Sequence, residues 1–428
     1  MNILNIMKNK NSSSFIQNNV INAIKRAEDI SPPNISYSPV AITKTFPTGK
    51  FIATPYKEVF KLTHKYNLFN EKIGNILISN FLRFKHNFSE LFSILGKNEE
   101  LRKFQFDKLL FLDVESMGSS SGSGNMVFLI GLGYFKDDKF IIDQYFIEDP
   151  LNEMGLLYIL ENMFKNKPHI ISYNGKSFDF YVIKNRFVLA EKFEFTLDNI
   201  MHFDLLHSTR RLWYGYFRYF KLEEVEQGLL NFYRTNEDLP GYLIPIYYKN
   251  YLKFRDSSIL KNIFYHNLMD VKSLLGILIL QLGVINQIIN GIYPEKINYA
   301  SVAKLFKERD KEMYKKLLEF EFYKKKKGMV LKPLYLLYKK EGKVEMMLDI
   351  LYKMINSRKF DYFPYLELSK YYERKEKDYQ KAMQILKKAQ ERMNSISPEK
   401  YEKIIDDIIK RTDRLKAKIK KSKNVAQA

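Results

Sequence analysis

The sequence predicts an α/β domain, a mixed sheet flanked by helices, followed by an all-helical module. Three observations carry this reading. Strand-length apolar runs follow one another from residue 109 to 146 and then alternate with helical patterns; Gly, Asn and Ser mark the turns between them; and beyond Pro294 only helical periodicity is left.

Taken in order, residues 1–35 read as a mobile arm, rich in Asn and Ser over 9–19 and closing on Pro32-Pro33. Residues 36–107 mix short β-like runs, such as Gly49-Lys50-Phe51-Ile52-Ala53-Thr54, with a helical pattern near 80–95, and are expected to form a cap on the domain that follows. In that domain, residues 108–290, strands are predicted over 109–114, 126–134, 140–146 and 169–172, with a helix over about 152–165. Residues 119–124, Ser and Gly only, are a flexible loop between the first two strands, either a plain connector or an entry for a substrate end. The most apolar stretch, 274–285, falls short of the ~20 residues that span a bilayer and reads as a core helix. Residues 1–8 lack the apolar core of a signal peptide, so no membrane partner is expected.

Residues 291–428 are expected to be wholly helical with a basic tail. Tyr365, Leu368, Ser369 and Tyr372, then Ala382, Leu386 and Ala389, resemble a tetratricopeptide unit carrying one extra residue in its turn, and a fainter unit precedes it over about 331–355. Residues 401–419 read as a capping helix. Because an independent solenoid usually needs three or more units, the segment is expected to dock on the preceding domain or on a protein partner; a plain helical bundle is the alternative.

At 428 residues, with 46% hydrophobic and 15% aromatic side chains, the chain can fill two or three cores and is not disordered. Lys and Arg outnumber Asp and Glu by 70 to 49, giving +21, which favours a polyanionic partner, nucleic acid or an anionic surface; a lysine-rich solvated exterior is the plain alternative. The absence of cysteine excludes disulfide frameworks, thiolate zinc sites and cysteine nucleophiles, and fits a cytoplasmic compartment.

Chemistry concentrates in four acidic residues. Asp113 and Glu115 end the apolar run Leu109-Leu110-Phe111-Leu112, and the strand period of two puts both on one face. Asp179 follows the turn Tyr173-Asn174-Gly175-Lys176-Ser177-Phe178, where a strand hands over to a helix. His266 and Asp270, four residues apart, stack on one helical face. So many converging carboxylates would repel one another without a cation, and oxygen donors suit hard ions such as Mg²⁺ or Mn²⁺.

The order Asp-x-Glu, Asn-Gly-x-x-Phe-Asp, His-x-x-x-Asp resembles the DEDDh class of ribonuclease-H-like 3′ to 5′ exonucleases. Together with Phe128-Leu129-Ile130-Gly131-Leu132-Gly133-Tyr134, Asp204-Leu205-Leu206-His207, Arg210-Arg211-Leu212-Trp213, Pro240-Gly241 and His266-Asn267, it is similar over roughly residues 40–290 to the bacterial YprB-type proteins, in which such a domain is often followed by tetratricopeptide repeats. One departure is Val114 and Ser116, where many relatives carry Thr after the Asp and after the Glu; this touches positioning rather than metal ligation. The resemblance implies a ribonuclease-H-like fold and a metal-dependent exonuclease acting on single-stranded DNA or RNA. Phosphodiester hydrolysis needs an in-line nucleophile, a stabilised leaving oxygen and neutralised phosphate charge, which two cations about 3.5 to 4 Å apart meet together. On this reading Asp113, Glu115 and Asp270 hold the first ion, Asp113 bridges to the second, and Asp179 holds that one directly or through water. His266, with an ordinary pKa of about 6.5, is the expected general base. A catalytically inactive nucleic-acid or protein scaffold, and an endonuclease or junction resolvase on the same fold, are the competing readings.

Around this set, Asp204 is expected either to brace the site or to cap the helix after it. Asn174 and Gly175 shape the turn that aims Asp179, with Asn174 in reach of a terminal nucleotide. Arg210, Arg211 and Arg234 are the expected phosphate contacts, and Trp213, Tyr214, Tyr216, Phe217 and Tyr219 supply aromatic surface for stacking or for core. The lysine run 324–327 and the tail 411–423 track phosphates or simply solvate the surface.

Overall fold

The computed structural model describes residues 39–118, 125–190, 200–235, 237–324, 328–358, 360–394 and 402–427. The arm 1–35, the loop 119–124 and Lys325 to Lys327 lie outside the described residues. Two compact units result, one from the chain up to Arg210 with Tyr216–Pro294, the other from Arg211–Gly215 with the chain from Glu295 on.

The first unit is built on a seven-stranded mixed sheet. Its strands are β1 (Lys50–Ile52), β2 (Val59–Asn67), β5 (Leu109–Ser116), β6 (Val127–Lys136), β7 (Lys139–Phe146), β8 (His169–Ser172) and β9 (Met201–Asp204); β3 (Lys72–Ile73) and β4 (Ile76–Leu77) make a separate ribbon. The order is β1-β2-β7-β6-β5-β8-β9, antiparallel from β1 to β5 and parallel from β5 to β9. Asp137, at φ 51°, turns the tight β6–β7 hairpin, a left-handed position that Asp tolerates. The first four residues of β5 are buried and the last four half-buried, so the strand leaves the core as its acidic residues begin.

Residues 39–107 are more than a cap. They extend the sheet itself, because Val59–Asn67 pairs along its whole length with β7 and carries β1 at its outer edge. Asp143 of β7 ties the join: its buried carboxylate accepts from Thr63 at 2.6 Å and Tyr134 at 2.8 Å, and pairs with Lys61 at 2.7 Å.

The unit's longer helices are α1 (Phe88–Gly96), α2 (Glu153–Asn166), α3 (Asp179–Ala190), α4 (Leu205–Leu212), α5 (Ile244–Phe254) and α6 (Leu260–Ile289). The apolar stretch at 274–285 is part of α6, which is long and apolar enough to cross a membrane but buries most of that surface inside the molecule. Helix α6 packs across β5, β6 and β7 where two glycines thin the sheet. A Cβ on Gly131 would stand 2.4 Å from Asn267 Oδ1, and one on Gly133 2.8 Å from Val271 Cγ1.

The second unit is helical, with α7 (Tyr299–Phe306), α8 (Lys311–Tyr323), α9 (Leu331–Lys340), α10 (Val344–Ile355), α11 (Tyr362–Tyr371), α12 (Tyr379–Asn394) and α13 (Glu402–Gln427) packed in sequential neighbours. Tyr365, Leu368, Ser369, Tyr372, Ala382, Leu386 and Ala389 are all buried. The extra residue between the two helices is taken up by a π-type turn, Tyr372–Glu376, which ends on Lys377 at φ 56°. On α13, Arg411 pairs with Asp407 while Arg414 and Lys418 both pair with Glu373, so part of the basic tail is engaged within its own unit.

Candidate active site

Asp113 is held from behind. Asp113 faces Gly131 across the β5–β6 ladder, and the space that glycine leaves lets Asn267 donate from Nδ2 to Asp113 Oδ2 at 2.8 Å. Asn267 is itself fixed by Gln144, whose Nε2 donates to Asn267 Oδ1 at 2.9 Å and to the Phe264 carbonyl at 2.8 Å, while Gln144 Oε1 meets His64 Nε2 at 3.1 Å. Asn267 and Gln144 are fully buried, and each is satisfied by this chain of bonds.

Asp179 is aimed by a braced turn. Asn174 sits at φ 61°, a left-handed conformation Asn adopts readily, and Gly175 follows where a Cβ would lie 2.3 Å from Ser172 Oγ and 2.9 Å from Asp179 Oδ2. The buried Asp204 accepts from the backbone N–H groups of Asn174 at 2.8 Å and Lys176 at 3.2 Å, and also from Leu206 N at 3.0 Å. It therefore braces the turn and caps α4 at once. Asp179 opens α3, where the helix N-terminus favours a negative charge.

His266 and Asp270 stand on one face of α6, His266 Nε2 lying 3.4 Å from Asp270 Oδ2. Both are engaged by the segment before α5. Asp238 Oδ1 accepts from His266 Nδ1 at 2.7 Å. The guanidinium of Arg234 pairs with Asp270, with Glu226 (Nε to Oε2, 2.8 Å) and with Asp238 (Nη1 to Oδ2, 3.2 Å). Only 5% of the Arg234 side chain is exposed, so the expected phosphate contact gives way to an internal ion-pair centre. Arg234, Asp238, His266 and Asp270 line a cleft of about 660 Å³ with Lys221 and Tyr233.

The carboxylates feel one another. Burial, then Asp270, Glu115 and Asp179, push Asp113 well above the carboxylate range. Burial pushes Glu115 up to about 8, with Asp270 and Asp179 adding to it against His266 and Arg234. Burial, then Asp270 and Asp204, push Asp179 up to about 7. Burial alone would lower His266, but Asp270, the bond to Asp238 and the charge of Glu115 outweigh it and raise the imidazole to about 9. The ordinary value near 6.5 expected for a general base is thus displaced, and the imidazole is a cation at neutral pH in this anionic setting.

This donor set fits hard divalent cations in chemistry: half-buried carboxylates that raise one another's pKa lack positive charge. It is not a finished cage, since among the described residues no three His, Asp or Glu side chains are grouped to hold a metal ion. Asp270 is drawn toward Arg234 and His266 instead.

The other expected contacts divide. Arg210 is exposed, and its charge works against the rise that burial imposes on the Tyr173 hydroxyl, whereas Arg211 belongs to the second unit, half-buried. Trp213 is buried and Tyr214 exposed, both in the second unit; Tyr216 and Tyr219 are exposed in the first. Sequence reasoning missed Asp238 and Glu226, whose roles exist only through Arg234 and His266. Phe178, Tyr181 and Tyr233, exposed beside Asp179 and Arg234, were also missed.

A family model described as RNase_H superfamily matches residues 110–280. A Bacillus subtilis (strain 168) protein described as "Uncharacterized protein YprB" is 31% identical over 337 residues, which cover 74% of this chain and 80% of that protein.

Proposed function

The chain belongs to the RNase_H superfamily, in the family of YprB, and carries its nuclease-like domain; from that premise we propose that it is a metal-dependent 3′ to 5′ exonuclease of single-stranded nucleic acid. The observation that carries the proposal is the gathering of Asp113, Glu115, Asp179 and Asp270, from a strand end and two helices, into one electrostatically coupled group beside His266. These four carboxylates would hold two divalent cations, Mg²⁺ or Mn²⁺, which when bound supply charge neutralisation and activation of water.

The remaining work falls to the chain's own groups. His266 is oriented by Asp238 at Nδ1, which leaves Nε2 as the atom that holds or moves a proton toward the cleft. As a base it must first be neutral, and it becomes so only as the charge of Asp270 and Glu115 is met by something else. Lys221 in the cleft wall and exposed Arg210 would contact phosphates. Tyr233, Phe178 and Tyr181 offer exposed rings on which unpaired bases can stack, which favours a single strand over a duplex. The scaffold reading has one observation of its own, the engagement of Asp270 by Arg234. The helical second unit is assigned to a protein partner or to the substrate's trailing strand.

The test is product analysis on 5′-labelled single-stranded DNA and RNA with Mg²⁺, Mn²⁺ or EDTA. A metal-dependent ladder shortening from the 3′ end is expected. Cleavage of circular strands would point to the endonuclease, and no cleavage of any substrate to the scaffold.

A further inference from the structure

Arg234 is the best-anchored cation of the cleft. It grips Glu226, fully buried, through two guanidinium nitrogens, and Asp238 through the third. Its remaining bond takes Asp270 Oδ1, while Asp270 Oδ2 faces His266 Nε2. Both oxygens of this carboxylate therefore point at protein cations.

We propose that Arg234 is a positioning residue that serves as the site's internal counter-cation: it holds Asp270 and, through Asp238, His266, and a divalent cation must take Asp270 from it. The inference rests on the cation-binding reading of the cleft. Glu226 and Asp238 retain Arg234, so Asp270 is the partner that would turn away from the guanidinium when a cation is bound. A planar fork pre-shaped for carboxylates suits this task better than a lysine. The pair also keeps a half-buried acidic cluster from standing uncompensated in the metal-free protein.

The test is calorimetric titration of Mn²⁺ into the full-length wild type, Arg234→Met and Arg234→Lys, with thermal melts in EDTA and in Mn²⁺. Arg234→Met is expected to bind Mn²⁺ at least about tenfold more tightly, to melt lower in EDTA, and to gain more from Mn²⁺ than the wild type does; Arg234→Lys should fall between. A merely structural arginine would not tighten the metal. Equal or weaker Mn²⁺ binding by Arg234→Met overturns the proposal while leaving the cation site standing; no binding by either protein overturns both. Should the methionine variant not fold, the wild type decides: Mg²⁺ should shift the Arg234 side-chain nitrogen resonances with the affinity found when Mg²⁺ is titrated into the same protein by calorimetry, and resonances unmoved at saturation overturn the proposal.

Discussion

Asp113 and His266 both feel the charge of Asp270 but differ in what their loss should do. Asp113 is half-buried, repelled by three other carboxylates and steadied by a bond from Asn267. On the proposed function, Asp113→Asn removes an ion ligand and a repelled carboxylate together, so hydrolysis should vanish while the melting temperature in EDTA stays level or rises; unfolding of the variant would contradict this. His266→Ala should slow turnover by about 10² to 10⁴ fold and flatten the acid limb of the pH–rate profile, which stopped-flow or gel kinetics can read. The metal-free protein should also show a pH signature. Glu115 keeps its proton up to about 8, Asp179 to about 7 and His266 to about 9, all above their ordinary values. The folded state thus binds more protons than the unfolded one, and these groups' stabilisation, complete at low pH, is lost as pH rises through those folded values. In EDTA the melting temperature should therefore fall with rising pH more steeply for wild type than for Glu115→Gln between about pH 5 and 9.

At the scale of elements, the site depends on where α6 meets the sheet. Gly131 is the contact point, since any side chain there collides with Asn267 and so with the bond to Asp113. Gly131→Ala should cost about 1 to 3 kcal/mol of stability from overpacking and reduce activity at least tenfold, measured by denaturant unfolding and nuclease assay. An alanine protein of normal stability and rate would mean that the Asn267 bond does not position the carboxylate. The turn before α3 works in the same way from the other side, with Asp204 fixing its backbone and Gly175 clearing the path of Asp179.

For the whole molecule, the excess of positive charge is shared unevenly between use and ornament. Several cations of the last helix are spent on Asp407 and Glu373, but Lys410, Lys420 and Lys421 are exposed. Changing these three lysines to Gln should make binding of single strands less salt-dependent by up to about 2 in the log–log slope, at roughly 0.7 per phosphate contact, with activity on short oligonucleotides retained. An unchanged slope would leave that helix to a protein partner.

The sequence by itself determined strands β5 to β8, the helical second unit and the spacing of the acidic residues, because each is written in short-range pattern: period two for Asp113 and Glu115, four residues for His266 and Asp270, a glycine turn before Asp179. The pairing of Val59–Asn67 with β7 was invisible, since a strand's partner is chosen by long-range register rather than by its own pattern. The same holds for Arg234. Its partners lie 8, 4 and 36 residues away, and an arginine reads as a phosphate contact until folding buries it among carboxylates. Tertiary structure alone decided that charge balance, and with it the protonation of His266, because desolvation and Coulomb terms depend on what surrounds a group in space and not on what precedes it in the chain.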